Sequence, residues 1–363
     1  MQNWMDEELE QLKSKGLFRS LRKLDASVID FSSNDYLGLK KHPEMIKAAI
    51  EGASIYGSGS GSSRLISGNS VLYEKLENDL RVFKKVPSAL VSSSGYALNV
   101  SLIPALVSTG DAVILDRLSH ASLIDGARLS GARLFVYKHC DMNSLEQVLK
   151  RAAQFRRRLI VTDSVFSMDG DIAPLNEIAE LANKYGAETL VDEAHATGVI
   201  GAVTEKIDYC VGTFSKALGS LGGFVVSRHK SAESYFLNTV RGVIFSTALP
   251  PSVIAASIKG LELSCNAKSE REHLRTMAIA IRKSLGLEVV KDDARLSAII
   301  PVVIGDEKKC LYISSRLLEK GLFVPPVRFP TVAKGAARLR ISLSAKQSDL
   351  DIETLLFDLK SHI

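Results

Sequence analysis

The chain reads as an α/β protein: a mainly parallel sheet covered by helices, followed by a smaller α+β unit. Three observations carry that reading. Amphipathic helix patterns alternate with short apolar runs from residue 72 onward. The runs, such as Ala112-Val113-Ile114-Leu115 and Leu159-Ile160-Val161-Thr162, are almost continuously apolar, as strands buried on both faces are. Beyond about residue 264 the alternation gives way to longer helices and two short strands.

Taken in order, residues 6 to 24 predict an amphipathic helix, with Leu9, Leu12, Leu17 and Leu21 on one face and a break near Gly16. Ile29 to Leu39 has a polar centre between apolar ends, which suits a strand and turn or a ligand contact at Asn34. A helix from Pro43 to about Ser54 runs into Gly57-Ser58-Gly59-Ser60-Gly61 and then Arg64-Leu65-Ile66. A dinucleotide fingerprint needs a strand before its glycines, and here a helix precedes them. An ordered loop with close backbone approaches is expected instead. Helices at 72–84, 96–107, 121–130, 143–153 and 175–185 then lead to strands at 89–92, 112–115, 134–137, 159–162 and 189–191. Two further apolar runs flank Lys216, placing it in a loop at a sheet edge. Helices near 252–263 and 269–285, strands near 299–303 and 338–343, and a helix at 348–361 complete the chain. The expected division is an N-terminal helical segment (1–35), a large ligand-binding domain (36–263) and a small α+β domain (264–363).

The chain has 363 residues, 46% hydrophobic and 24% charged, a globular composition. No apolar run is long enough for a membrane span, and the acidic start lacks a signal-peptide core, so a cytoplasmic protein is expected. The four cysteines have no paired metal spacing and read as buried reduced thiols. A net charge of +5 suits anionic small molecules. Arg156-Arg157-Arg158 reads as a solvated turn, so no nucleic-acid partner is expected.

Ligands on such sheets sit beyond the carboxyl ends of the strands. Those positions hold Ser94-Gly95-Tyr96 opening a helix, His120, Ser167, Asp192-Glu193-Ala194-His195 and Thr213 with Lys216. A helix N-terminus with hydroxyls beside it binds anions. A lysine out of bulk water loses its proton more easily and becomes a nucleophile. Pyridoxal phosphate (PLP) uses this whole set: a lysine, a carboxylate for its ring nitrogen, a donor at its phenolic oxygen, a phosphate site and a flat surface. Lys216, Asp192, His195, the Gly95-Tyr96 turn with Thr213, and His120 supply these in turn. Asp-Glu-Ala-His also spells a helicase box, but such a motor needs a phosphate loop with Gly-Lys, a dipeptide this chain lacks. A metal-dependent hydrolase using Asp192, His195 and His120 would leave Lys216 without a role, and no metal site is expected. A catalytically silent binding protein would not need the lysine.

Several motifs resemble the α-oxoamine synthase family of fold-type I PLP-dependent enzymes. They are Phe31 to Leu39, Asp116-Arg117-Leu118-Ser119-His120-Ala121-Ser122, Val165 to Asp171, Asp192 to Gly198 and Thr213-Phe214-Ser215-Lys216. The resemblance runs from about residue 28 to the C-terminus. It implies a homodimer with active sites at the subunit interface. It makes Lys216 the covalent anchor, His120 the stacking residue and Asp192 the partner of the ring nitrogen. Ser167 and His195 would face the phenolic edge. Gly95, Tyr96 and Thr213 would hold the phosphate, with Thr247 reaching in from the partner subunit. Arg340 matches the family's amino-acid carboxylate arginine, and Arg22 and Thr331 match positions near the substrate. The implied reaction is a decarboxylating Claisen condensation of L-alanine with a pimeloyl thioester, on coenzyme A or a carrier protein, giving 8-amino-7-oxononanoate. The alternative within the family is a glycine-using relative such as 2-amino-3-ketobutyrate CoA ligase. The segment from Ala202 to Asp208 is shorter than the family usually carries.

Overall fold

The computed structural model describes residues 3–200, 206–288 and 296–363. Most of the shortened Ala202–Asp208 segment lies outside the described residues. Helix α1 spans Trp4–Ser14 only, although the leucine spacing predicts a longer one. Gly16 takes a left-handed φ of 64° and its N–H bonds back to Lys13, which ends the helix. No residue of α1 is buried, Leu17 beyond it is only half-buried and Leu21 is fully exposed, so packing among the described residues does not extend the helix.

Two compact units divide the chain. The larger covers Ser33–Ile300 with Ser342–Ser348; the smaller joins the described residues up to Ser32 to Pro301–Ile341 and Asp349–Ile363. This division differs from the three consecutive segments expected from sequence. Residues 264–300 stay with the larger unit, and the N-terminal segment joins the smaller one. The reason for the latter is a strand pairing: β1 (Ile29–Asp30) runs parallel to β10 (Leu322–Phe323), a partner distant in sequence.

In the larger unit, α2 (Pro43–Tyr56) leads through a π-helical turn, Arg64–Gly68, into α3 (Val71–Lys84). The glycine-rich stretch is ordered: Arg64 is buried against Glu77 and over the ring of Tyr73. Then follow β2 (Ser88–Ser92), α4 (Gly95–Leu106), β3 (Ala112–Asp116), α5 (Ala121–Leu129), β4 (Arg133–Tyr137), α6 (Met142–Arg151), β5 (Arg158–Asp163), α7 (Leu175–Tyr185), β6 (Glu188–Asp192), β7 (Tyr209–Thr213) and β8 (Gly223–Ser227). These strands form one seven-stranded sheet in the order β2-β8-β7-β6-β5-β3-β4. Strand β8 runs antiparallel to both neighbours, while β3 to β7 pair in parallel. The loop carrying Lys216 is therefore not at a sheet edge, because it joins two inner strands.

Side chains alternate between the two faces. Val113, Leu115, Val161 and Val211 pack beneath Leu98, Leu102 and Ile103 of α4. Ala89, Val91 and Cys210 face Leu76 and Leu80 of α3. Each valine, leucine or isoleucine among them contributes about 1.5–3 kcal/mol when fully buried. Helices α8 (Ala232–Thr239), α9 (Arg241–Ile244), α10 (Pro251–Asn266) and α11 (Lys268–Ser284) complete the unit.

The smaller unit carries most of β9 (Ile299–Gly305) and β12 (Ala337–Ser342), together with α12 (Glu307–Glu319), β11 (Pro326–Val327) and α13 (Asp349–Lys360). Its three-stranded sheet runs β11-β12-β9. All four cysteines are unpaired; Cys210 and Cys310 are buried, Cys140 is half-buried, and Cys265 is exposed rather than buried as expected.

Candidate active site

The loop after β7 is pinned by its own backbone. Phe214 N–H bonds to Gly222 O (3.0 Å), Ser220 N–H to Phe214 O (2.8 Å) and Gly219 N–H to Lys216 O (2.9 Å). Phe214 and Leu218 are buried on either side and anchor it. Lys216 is thus presented from a rigid turn at the end of an inner strand, and its Nζ lies 2.7 Å from His195 Nε2.

His195 follows β6 by one turn. Its other nitrogen, Nδ1, lies 2.6 Å from the hydroxyl of the buried Tyr36. Asp192, the last residue of β6, is held at both oxygens. Asn99 Nδ2 donates to Oδ2 (2.7 Å) and Ala194 N–H donates to Oδ1 (2.8 Å). His120 caps α5, with Nδ1 2.8 Å from Ser122 Oγ. Its side chain opens onto the cleft, yet the surrounding walls still hold the imidazole below its ordinary value. The charge of Lys216 adds to this and that of Asp192 opposes it. The neutral ring that results can lie against a flat ligand. Beneath it, Asp163 accepts the His120 N–H (2.9 Å). Complete burial pushes the Asp163 carboxyl well up, and the nearby Asp192 pushes it further.

The other end of the cleft is a helix start. Ser94 Oγ accepts from Ala97 N–H (3.1 Å), and the first turn of α4 leaves its leading N–H groups without helical partners. Thr213 Oγ1 donates to Gly222 O (2.8 Å) and sits 2.6 Å from Ser215 Oγ. Backbones crowd here: a Cβ on Gly223 would lie 2.5 Å from Gly95 N, so only glycine lets β8 pass the helix start. The space between the two ends, counted with the open solvent at its mouth, is about 700 Å³.

Gly95, Tyr96, His120, Asp192, His195, Thr213 and Lys216 all line this cleft. Ser167 does not; it sits half-buried in the turn after β5. Thr247 is not a lining residue either, and pairs as an isolated bridge with Ser63. Asn34 accepts from the Tyr36 hydroxyl (3.1 Å). Arg22, Thr331 and Arg340 belong to the smaller unit. There Arg22 stacks over Phe323 (5.0 Å), Thr331 accepts from Arg19 (3.5 Å) and Arg340 is buried on β12. Sequence reasoning missed Asn99, Ser122 and Asp163 as site residues. A signal existed for Asn99, a lone amide on the apolar face of α4 that packs on the sheet.

A family model described as aminotransferase class I and II matches residues 26–358. An 8-amino-7-oxononanoate synthase of Citrifermentans bemidjiense is 44% identical, over 96% of this chain and 95% of its own length. One of Geobacter sulfurreducens is 42% identical over 95% and 94%. The chain belongs to the α-oxoamine synthase family. Among solved structures, this α-oxoamine synthase is similar to the serine palmitoyltransferase of Sphingomonas wittichii, with a TM-score of 0.91, 33% identity and coverage of 99% and 96%. It is also similar to the 8-amino-7-oxononanoate synthase of Francisella tularensis, with a TM-score of 0.79, 28% identity and coverage of 93% and 98%. The family's cofactor is PLP, and the cleft of this α-oxoamine synthase fits it chemically. A hydroxyl-lined helix start suits a phosphate, a doubly held carboxylate suits a pyridinium, and a lysine lines the same cleft.

Proposed function

We propose that the protein condenses L-alanine with a pimeloyl thioester, on coenzyme A or a carrier protein, to give 8-amino-7-oxononanoate, carbon dioxide and the free thiol. The observation that carries this reading is the convergence of Lys216, His195 and Asp192 in one cleft at the strand ends. Lys216 would hold PLP until the amine of L-alanine takes its place and frees the lysine amine, and the cofactor would supply an electron sink for charge developing at the substrate Cα. The chain's own residues do the rest. Lys216 removes the Cα proton, for which its amine must be neutral. His195 Nε2, 2.7 Å away, is placed to take the ammonium proton. Asp192, held by Asn99, would face the positive ring nitrogen of the cofactor. His120 would lie against one face of its ring. The new bond joins Cα to the acyl carbonyl carbon. The C–S bond breaks to release the thiol, the carboxylate leaves as carbon dioxide, and a proton returns to Cα.

Within this reading Ser167 faces the phenolic edge, and Arg340, Arg22 and Thr331 recognise the substrates. The protein acts as a homodimer. Leu65, Ile66 and Phe245 are exposed apolar residues close in sequence to the two partners of the Ser63–Thr247 bridge, which supports a subunit contact there. Four unpaired cysteines suit the reducing cytoplasm, and no helix of the described residues is long and apolar enough to cross a membrane. A metal-dependent hydrolase is disfavoured, because both ring nitrogens of His195 are already engaged. The test is product identity from L-alanine and a pimeloyl thioester, run beside glycine and an acetyl thioester. A preference for the second pair would replace this reading with the glycine-using one.

A further inference from the structure

A second cluster of reactive side chains stands outside the cleft, where β3, β4 and β5 end. Asp116, the last residue of β3, pairs in register with Tyr137, the last residue of β4. His139 and Cys140 follow β4 closely, and Asp171 comes from the turn after β5. A carboxylate oxygen of Asp116, a ring nitrogen of His139 and the sulfur of Cys140 all lie within 4.8 Å of one another. Ligand atoms bound to a tetrahedral zinc at about 2.0–2.3 Å stand roughly 3.3–3.8 Å apart. Closure around an ion therefore needs shifts of only about 1 Å.

The two ring nitrogens of His139 already face different groups. Nδ1 lies 2.9 Å from Asp116 Oδ1, and Nε2 lies 2.6 Å from Asp171 Oδ2. A zinc-bound histidine hands its other N–H to a carboxylate, which fixes the ring and raises its basicity. Asp171 stands where that carboxylate belongs, and Phe166 meets the imidazole edge-on at 4.4 Å. The Asp116 carboxylate is buried and held by backbone, with Leu118 N–H on Oδ1 (2.8 Å) and Cys140 N–H on Oδ2 (3.0 Å). Each oxygen keeps a second lone pair. His139 and Asp171 are partly exposed, which gives an ion a way in.

An independent observation points to a ligand here. The Tyr137 hydroxyl is buried and has no hydrogen-bond partner among the described residues. Buried hydroxyls are normally paired. Burial holds this phenol well above its ordinary range, Asp116 pushes it further, and, against an opposing Thr162, so does Cys140. The hydroxyl is thus directed at the same cluster. A zinc with three protein ligands carries a water in its fourth position, and that water would meet it.

We propose that Asp116, His139 and Cys140 bind a divalent cation of the zinc class, with Asp171 orienting His139 and Tyr137 meeting the metal-bound water. Thiolate and imidazole select zinc or cobalt over magnesium or calcium. Binding sends the His139 Nδ1 proton and the Cys140 thiol proton to solvent. In the metal-free protein the Nδ1 proton bridges His139 to Asp116 instead. The ion clamps the segment before His120 to the turn after β5. None of these residues lines the cleft, so the proposal stands apart from the reading of the reaction. Asp116 and His139 are 23 positions apart and leave no spacing motif to read.

The test uses the PLP-loaded protein, stripped of metal with a chelator and titrated with Co²⁺ alone. One equivalent is expected, with the visible bands of a four-coordinate ion and a sulfur-to-cobalt charge-transfer band, both lost when Zn²⁺ is added. C140A loses the charge-transfer band. D171N keeps it but binds Co²⁺ about 10–100-fold more weakly, as loss of an orienting carboxylate does. Should C140A fail to fold, the wild type answers alone: Zn²⁺ slows alkylation of Cys140, read by peptide mass, and leaves the exposed Cys265 as before. A wild-type cobalt spectrum without a sulfur band overturns the proposal, as do a C140A spectrum identical to wild type, a D171N affinity equal to wild type, or Cys140 alkylation indifferent to zinc. Displacement of the cobalt by Mg²⁺ at the same concentration would mean adventitious binding to surface carboxylates and overturns it too.

Discussion

Lys84 Nζ and Glu193 Oε1 lie 2.5 Å apart, and their side chains are only 7% and 1% exposed. The pair joins the last residue of α3 to the residue directly after Asp192. It is a contact of charges rather than an aligned hydrogen bond. Removing one partner leaves the other charge buried without compensation, which costs about 3–5 kcal/mol. K84M is therefore expected to lower the urea midpoint strongly, and K84M/E193L to recover much of the loss. A K84M midpoint equal to wild type would mean that the pair contributes nothing.

Lys216 is the expected covalent anchor. Borohydride treatment of the loaded protein should fix PLP to the peptide containing Lys216, and K216A should take up no fixable label. A label found on another lysine would relocate the site.

Asp192 is buried and accepts donors from Asn99 and Ala194. D192N keeps the shape and removes the charge opposite the cofactor ring. Turnover should fall by about a hundredfold or more, the scale seen when a preorganised electrostatic partner is lost, while the fold stays intact by circular dichroism. Near-normal turnover would exclude this role.

His139 bridges two carboxylates, with Nδ1 2.9 Å from Asp116 and Nε2 2.6 Å from Asp171. Burial alone would depress the imidazole, but the hydrogen bonds to Asp116 and Asp171 outweigh it and push its pKa up from 6.5 to about 12. A raised folded pKa means that folding takes up a proton once the unfolded imidazole is neutral. The contribution is complete below 6.5 and drains away as the pH rises towards about 12. The stability gap between wild type and H139N should narrow with rising pH above 6.5. A gap that is flat or widens would sink the assignment of a bridging imidazolium.

The proposed dimer places Thr247 in the partner's site. Co-refolding inactive K216A with weakened T247V then builds one intact site into each mixed dimer. With random pairing that is about a quarter of wild-type activity. No recovery would show that both residues serve the same site from one subunit.

The inner strands of the larger unit were legible because runs such as Ala112–Leu115 are short and almost wholly apolar, and burial on both faces demands that composition; β4, at the edge, is buried only at Tyr137. The cleft was legible for a related reason: the residues directly after such runs, Asp192 and Thr213 among them, must emerge at one end of the sheet. Ser167 follows the same rule; it sits half-buried in the turn after β5 and is not among the residues lining the cleft. The first helix was overread, since leucine spacing shows a face but not whether anything covers it.

By itself, then, the sequence determined the class of sheet and the placing of Lys216, Asp192 and His195 directly after strands, all set by local order along the chain. Only the tertiary structure decided that β8 runs against its neighbours, that the N-terminal segment pairs with β10, and that Asn99 and Tyr36 stand behind Asp192 and His195. Those partners are 93 and 159 positions away. A hydrogen bond depends on distance in space, and periodicity along a chain carries no record of it.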